Sequence, residues 1–385
     1  MTDLPHEAHL VALASLEHVG PGRLRWLLTH GTPAEVWERV RRGVLSTPPP
    51  RLLLDRAQIA KWRRQASVEL DPVTCWQACV DAGVGVVSLG SPGYPACLAD
   101  DLSPPVVLFH RGDPDRLLGP RVAVVGTRRA TGYGIRTAEQ LGEDLARAGI
   151  VVVSGLALGI DAAAHRGALS AADRQVGVAA VVGGGLDQPC PTRNRRLAER
   201  VCAEGVLLSE VPVGISAAPW RFPVRNRVLA ALADAVVVVE SAGSGGSLLT
   251  VRQALRRDRP VLAVPGPVDS RSSEGTNQLL LDGAHPCLGI DDVLGVLDLE
   301  RPAARAAAAP ESRPEPSPSA ARVLEAIGWR PVSAEHLAEH AGIGFGELAA
   351  ALAELERHGW VCRSEGWIER VARAGEVRRA PHDRA

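Results

Sequence analysis

The chain has 385 residues, 46% of them apolar and 3% aromatic, with a net charge of −1. This length suits two or three domains, with a large core built from Ala, Val, Leu and Ile, while the near-neutral total is silent on polyanion partners. The seven cysteines, at 75, 79, 97, 190, 202, 287 and 362, are odd in number and never spaced C-x-x-C, which argues against a disulfide framework or a zinc site and fits a reducing cytoplasm.

Residues 1–80 read as a helical domain, with no signal peptide because His6, Glu7 and His9 interrupt any apolar stretch at the start. The turn Val19-Gly20-Pro21-Gly22 resembles the hairpin of a helix-hairpin-helix. It either offers backbone N–H groups to a phosphodiester or simply joins two packed helices.

Residues 81–298 alternate strand and helix. The expected strands are Val84–Ser88, Val106–Phe109, Val122–Val125, Ile150–Val153, Val176–Val182, Val206–Ser209, Ala235–Val239 and Val261–Val264. Their unbroken apolar character predicts burial on both faces, as in a parallel, doubly wound α/β sheet of extended Rossmann type. No run of about 18 apolar residues marks a membrane span.

Residues 299–319 are rich in Ala, Pro and Glu and read as a linker. Residues 320–370 show three short helical patterns and then a hairpin turning near Glu365-Gly366, the order of a winged helix. Its third helix carries Glu347, Ala349, Ala350, Glu354 and Glu356, which is the wrong charge for reading a duplex. Residues 371–385 read as a disordered tail.

Positive charge is concentrated in short segments: Arg128-Arg129, Arg193 to Arg196 and Arg221 to Arg227. The first follows the strand Val122–Val125 as Gly126-Thr127-Arg128-Arg129. The stretch G-T-R-R-A-T-G-Y-G lacks the G-x-G-x-x-G spacing of a dinucleotide site, and Ser154 rather than an acid ends the next strand, so a dehydrogenase is disfavoured. What remains is a phosphate site of Gly126, Thr127 and Arg128, or else a tight turn with solvated arginines. Ser154 and Gly155 are expected to offer a hydroxyl and N–H groups to a second phosphate. Asp161 and His165 stand four apart on one helix face with no third ligand in view, so they read as structural support and not as a metal site. Around Phe222, the residues Arg221, Arg225, Asn226 and Arg227 suit a nucleic-acid backbone, with Phe222 stacking on a base; the plain counterpart is an interdomain salt-bridge cluster. A third anion turn runs through Gly243, Ser244, Gly245, Gly246 and Ser247 and lacks the G-K-[ST] of a Walker loop.

The ordered set Tyr94-Pro95, VVGTRRATGYG, VVSGLALGIDAAAHRGAL, GGGLDQPCPTRN, LLSEVP, FPVRNRVLAALADAVVVVE and VPGPVDSRSSEGTNQLLLDGA resembles the DNA processing protein A family (DprA, also called Smf). The resemblance implies a helical SAM-like domain, a Rossmann-like domain and a winged helix. It implies sequence-independent binding and protection of single-stranded DNA, loading of the RecA recombinase in natural transformation and recombination, displacement of single-strand-binding protein, and a homodimer through the Rossmann-like domain. No catalysis and no cofactor are implied. Gly126, Thr127 and Arg128 would hold one phosphate and Ser154 and Gly155 another; Phe222, Arg225, Asn226 and Arg227 would form the stacking, basic side, with Gly243 to Ser247 lining it. The chain departs from the family in having Thr127 where Ser is usual, and Cys190-Pro191 where Tyr-Pro is usual, which removes a stacking ring. The enzyme alternative is a nucleotide N-glycoside hydrolase of the lysine-decarboxylase-like type, but Leu248 to Val251 supply no carboxylate after the Ser244–Ser247 turn.

Overall fold

The computed structural model describes residues 4–171, 177–188, 191–299, 314–327, 332–341, 344–364 and 367–371. Cys190, Glu365-Gly366, most of the expected linker and nearly all of the expected tail lie outside them. The chain divides into two units, 1–302 and 303–385.

The first unit begins with helices His6–Ser15, Pro21–Leu27, Pro33–Arg42, Arg56–Arg64 and Pro72–Asp81. Local chemistry sets their ends. Thr32 and Glu35 form a reciprocal capping box ahead of Pro33, and Gly43 closes that helix at φ 70°. These helices bury Leu10, Leu13, Leu27, Val36 and Trp62 in the same apolar cluster that holds Val122, Val152 and Val237 of the sheet.

Among the described residues nine strands follow: β1 (Gly85–Ser88), β2 (Val107–Gly112), β3 (Arg121–Val125), β4 (Val151–Ser154), β5 (Val178–Val181), β6 (Val206–Ser209), β7 (Ala235–Val238), β8 (Val261–Ala263) and β9 (His285–Pro286). Their order is β1-β2-β6-β5-β4-β3-β7-β8-β9. The neighbours from β6 to β9 are parallel. Alternate residues enter two clusters, Val122 and Val124 on one face and Ala123 and Val125 on the other, so helices cover both faces as the sequence predicts. Two expectations are corrected. The runs at Val84–Ser88 and Val106–Phe109 form an antiparallel edge, β1 on β2 and β2 on β6. A further two-residue parallel strand, β9, lacks the apolar run by which the others were found.

The order runs outward from β3 in both directions, through β4, β5 and β6 on one side and β7 and β8 on the other. The sheet's switch therefore lies between β3 and β7, where the crevice of such folds opens at the strands' carboxyl ends. Helices Gly132–Arg147 and Ile160–Ser170 pack against each other over β3 and β4, so closely that a Cβ on Gly167 would strike the Glu139 carbonyl oxygen.

The second unit holds helices Pro318–Ile327, Ala334–Ala341 and Phe345–Arg357 and strands β10 (Val332–Ser333), β11 (Val361–Ser364) and β12 (Trp367–Arg370), in the antiparallel order β10-β12-β11. Val323, Leu337, Leu355 and Ile368 form its core. The acids of its third helix have local partners. Glu347 pairs with Arg322 at 3.0 Å, Glu356 with Arg363, and Glu354 accepts hydrogen bonds from the Ser317 amide and hydroxyl.

Candidate nucleic-acid interface

Apolar strands end at the rim because each runs out of core to cover, and the chain must turn there in little space. At Gly126, directly after β3, a Cβ would come within 2.6 Å of the Ile160 side chain and 2.8 Å of the Glu240 carbonyl oxygen, so only glycine fits. The Thr127 N–H donates to Glu240 O at 2.8 Å and Thr127 O accepts from the Ile160 amide, which ties this turn to the end of β7 and to the next helix. The Thr127 hydroxyl accepts from the Arg129 amide. Glu240 is itself buried and accepts from the Thr131 amide and hydroxyl, closing the start of helix Gly132–Arg147 onto the same corner. Arg128 and Arg129 are exposed, and neither meets a carboxylate among the described residues.

The helix Arg221–Leu232 brings its first turn over this corner. The Arg128 guanidinium lies 4.8 Å from the centre of the Phe222 ring, and Arg221 stands at the same distance over Trp220. Trp220 is 46% exposed. Phe222 lies beside Gly183, after β5, at a distance that even a Cβ there would meet as ordinary contact. Two guanidinium–aromatic stacks thus stand at the start of one helix. Sequence reasoning singled out Phe222 and Arg221 but gave no role to Trp220, since only the fold shows its ring at the surface beneath Arg221.

Arg225 is a different kind of residue. It is 7% exposed and donates through Nη1 to Gly155 O at 2.9 Å and to Val181 O, the ends of β4 and β5. Burial, offset by Asp161 and reinforced by the neighbouring positive charge of Arg128, lowers its pKa to about 10, so it remains a cation at neutral pH. The charge of Arg128 thus acts on the buried Arg225.

Several expected phosphate donors are already used inside the fold. The Ser154 hydroxyl is buried and donates to Val124 O at 2.6 Å, and the Gly155 N–H donates to the Asp161 carboxylate at 3.1 Å. Arg227 is taken by Glu210 and Ser103 O, and the Ser247 hydroxyl by Ser241. Asn226 Oδ1 accepts from Arg225 at 3.3 Å. In the third turn Gly243, Ser244 and Gly246 are exposed and Gly245 is half-buried, packed so that a Cβ there would strike the Ser241 hydroxyl. Beyond β5, Asn194 is buried and donates to Leu156 O and Ala157 O, which fastens the exposed Arg193, Arg195 and Arg196 beside the β4 turn.

Asp161 and His165 lie beneath the rim. Burial pushes the Asp161 pKa up, against the pull of Arg225 and of the Ala157, Gly155 and Gly126 amides. His165 is fully buried with neither ring nitrogen hydrogen-bonded, and burial lowers its pKa to about 3, so it is neutral. Among the described residues no group of three or more His, Cys, Asp or Glu side chains is arranged to hold a metal ion. No helix among them is long and apolar enough to cross a membrane. A small cavity of about 50 Å³ opens between the Val19-Gly20-Pro21 turn and Arg221, Arg225 and Glu210.

Residues 85–298 match the family model described as DNA recombination-mediator protein A, and residues 307–366 match the DprA winged helix domain. The chain is 35% identical over 292 residues to the protein Smf of Escherichia coli, covering 74% of this chain and 77% of that one. Its fold matches the DNA processing protein A of Streptococcus pneumoniae with a TM-score of 0.61 at 28% identity, over 75% of this chain and 96% of the other. A DNA processing protein A of Helicobacter pylori, solved for its single-stranded DNA binding mode, matches with a TM-score of 0.51 at 30% identity, over 57% of this chain and 99% of the other.

Proposed function

The chain belongs to the DNA recombination-mediator protein A family, and we propose that it binds and protects single-stranded DNA without sequence preference at the sheet's carboxyl rim. The observation that carries this reading is the Arg128–Phe222 stack above the buried Arg225. A guanidinium and a ring held together at the surface serve a phosphate and the adjacent base face of an unpaired strand, and every base has a face to stack. The single-strand binding mode of the Helicobacter pylori relative supports it.

In this reading Arg128 grips phosphate and Phe222 stacks. Gly126 and Thr127 shape the turn, and Gly243, Ser244 and Gly246 line the far side of the switch. Ser154, Gly155, Asn226, Arg225 and Arg227 hold the floor in place. Arg193 and Arg196 extend the positive track past β4. We further propose a cytoplasmic, non-catalytic mediator that works as a homodimer through the sheet domain, displaces single-strand-binding protein and loads RecA during recombination or natural transformation. Nucleotide hydrolysis finds no observation in its favour.

The test is fluorescence anisotropy with a labelled oligothymidylate and the full chain. Micromolar or tighter binding that falls steeply with salt, competed by unrelated single strands and not by mononucleotide, is expected. Equal preference for duplex would overturn the reading.

A further inference from the structure

We propose that Asp161 is the resident anion of the rim, an internal carboxylate that fills the phosphate seat between the turns after β3 and β4 and thereby excludes free phosphate and mononucleotides while leaving the surface to a polymer backbone. Glycine turns at the carboxyl ends of adjacent parallel strands beside the switch are where such folds seat a phosphate, on backbone amides. Here those amides already face a carboxylate. The Gly155 N–H reaches Asp161 Oδ2 at 3.1 Å, and the turn after β3 meets the same helix start, where the Ile160 N–H donates to Thr127 O.

The geometry leaves no second place. A Cβ on Gly155 would lie 2.6 Å from Asp161 Oδ2 and 2.5 Å from Arg225 Nη2, so carboxylate and guanidinium close together over this glycine. Asp161 is 6% exposed. A buried carboxylate persists only when amides and a cation offset its lost hydration. Ser154, the other expected donor, gives its hydroxyl to Val124 O. His165, one helical turn along, is neutral and adds no charge, so Arg225 is the cation that balances Asp161. A phosphate entering this corner would bring a second negative charge against Asp161. A strand crossing above it meets Arg128 and Phe222 instead.

The exclusion of free phosphate stands on this geometry alone; the link to strand binding rests on the proposed function. Full-length Asp161→Ala and the parent are compared in two measurements. In thermal melts at matched ionic strength, inorganic phosphate or formate raises the variant's Tm with concentration and leaves the parent at its chloride value. In anisotropy, the variant binds oligothymidylate about tenfold more weakly, and formate restores part of the loss. A well-folded variant that answers phosphate no differently from the parent overturns the proposal. Asp161→Asn covers failure of the alanine variant to fold: the amide fills the same volume, so weakened strand binding with no phosphate response is expected, and parent-like affinity overturns the positioning role. If the parent itself does not bind single strands, the functional reading fails while the phosphate response still decides what Asp161 does.

Discussion

Arg225 Nη1 lies 2.9 Å from the Gly155 carbonyl oxygen, so the helix that leads into β7 clasps the turn that ends β4. The two residues are 70 positions apart, and the same guanidinium also reaches the end of β5. It makes Arg225 a keystone of the rim more than a contact waiting for DNA.

Replacing Arg225 by Ala therefore costs stability first. It strands the carbonyls of Gly155 and Val181 and leaves Asp161 without its cation, a loss of about 2–4 kcal/mol. Denaturant unfolding checks this; a variant as stable as the parent would show that the clasp contributes little. Strand binding should weaken with it.

Arg128→Ala should do the reverse. The side chain is exposed and stacks on Phe222, a contact worth about 0.5–1 kcal/mol. Stability stays near that of the parent, while affinity for every single-stranded sequence falls alike. The slope of log K against log salt becomes shallower by about 0.7, as one phosphate contact is lost. Titration at three salt concentrations separates this from an unfolding effect.

His165 gives a pH prediction. Its folded pKa of about 3 lies below its unfolded value of 6.5. The unfolded chain thus binds the extra proton between those values, and this contribution to stability, complete above about 6.5, is lost as pH falls toward 3. His165→Met removes the titration and two buried nitrogens without partners. Melts from pH 7 to pH 4 should fall less steeply for the variant than for the parent, and parallel curves would refute the assignment.

Gly167→Ala should be among the most damaging small substitutions. The new methyl would sit 1.9 Å from Glu139 O, so the helices Gly132–Arg147 and Ile160–Ser170 must separate, at about 3 kcal/mol. Gly295→Ala, whose added carbon meets nothing within 4 Å, is the control. Thermal melts of the two variants make the comparison.

The sequence by itself determined most of the elements and where they end. Apolar runs bounded by Gly126, Ser154-Gly155 and Glu240-Ser241 become β3, β4 and β7 within a residue, because burial on both faces demands such runs and a crowded turn demands glycine. The three helices and hairpin of the second unit were legible for the same local reason. Tertiary structure alone decided pairing direction and donor occupancy. Nothing in the run Val84–Ser88 encodes that it meets its neighbour antiparallel, since direction belongs to the pair. Likewise Ser154 and Arg227 are good phosphate ligands by chemical type, yet Val124 O and Glu210 reach them first across 30 and 17 residues. A hydrogen-bond donor is free only if the fold brings it no acceptor, and that is a property of distances the chain acquires when it closes.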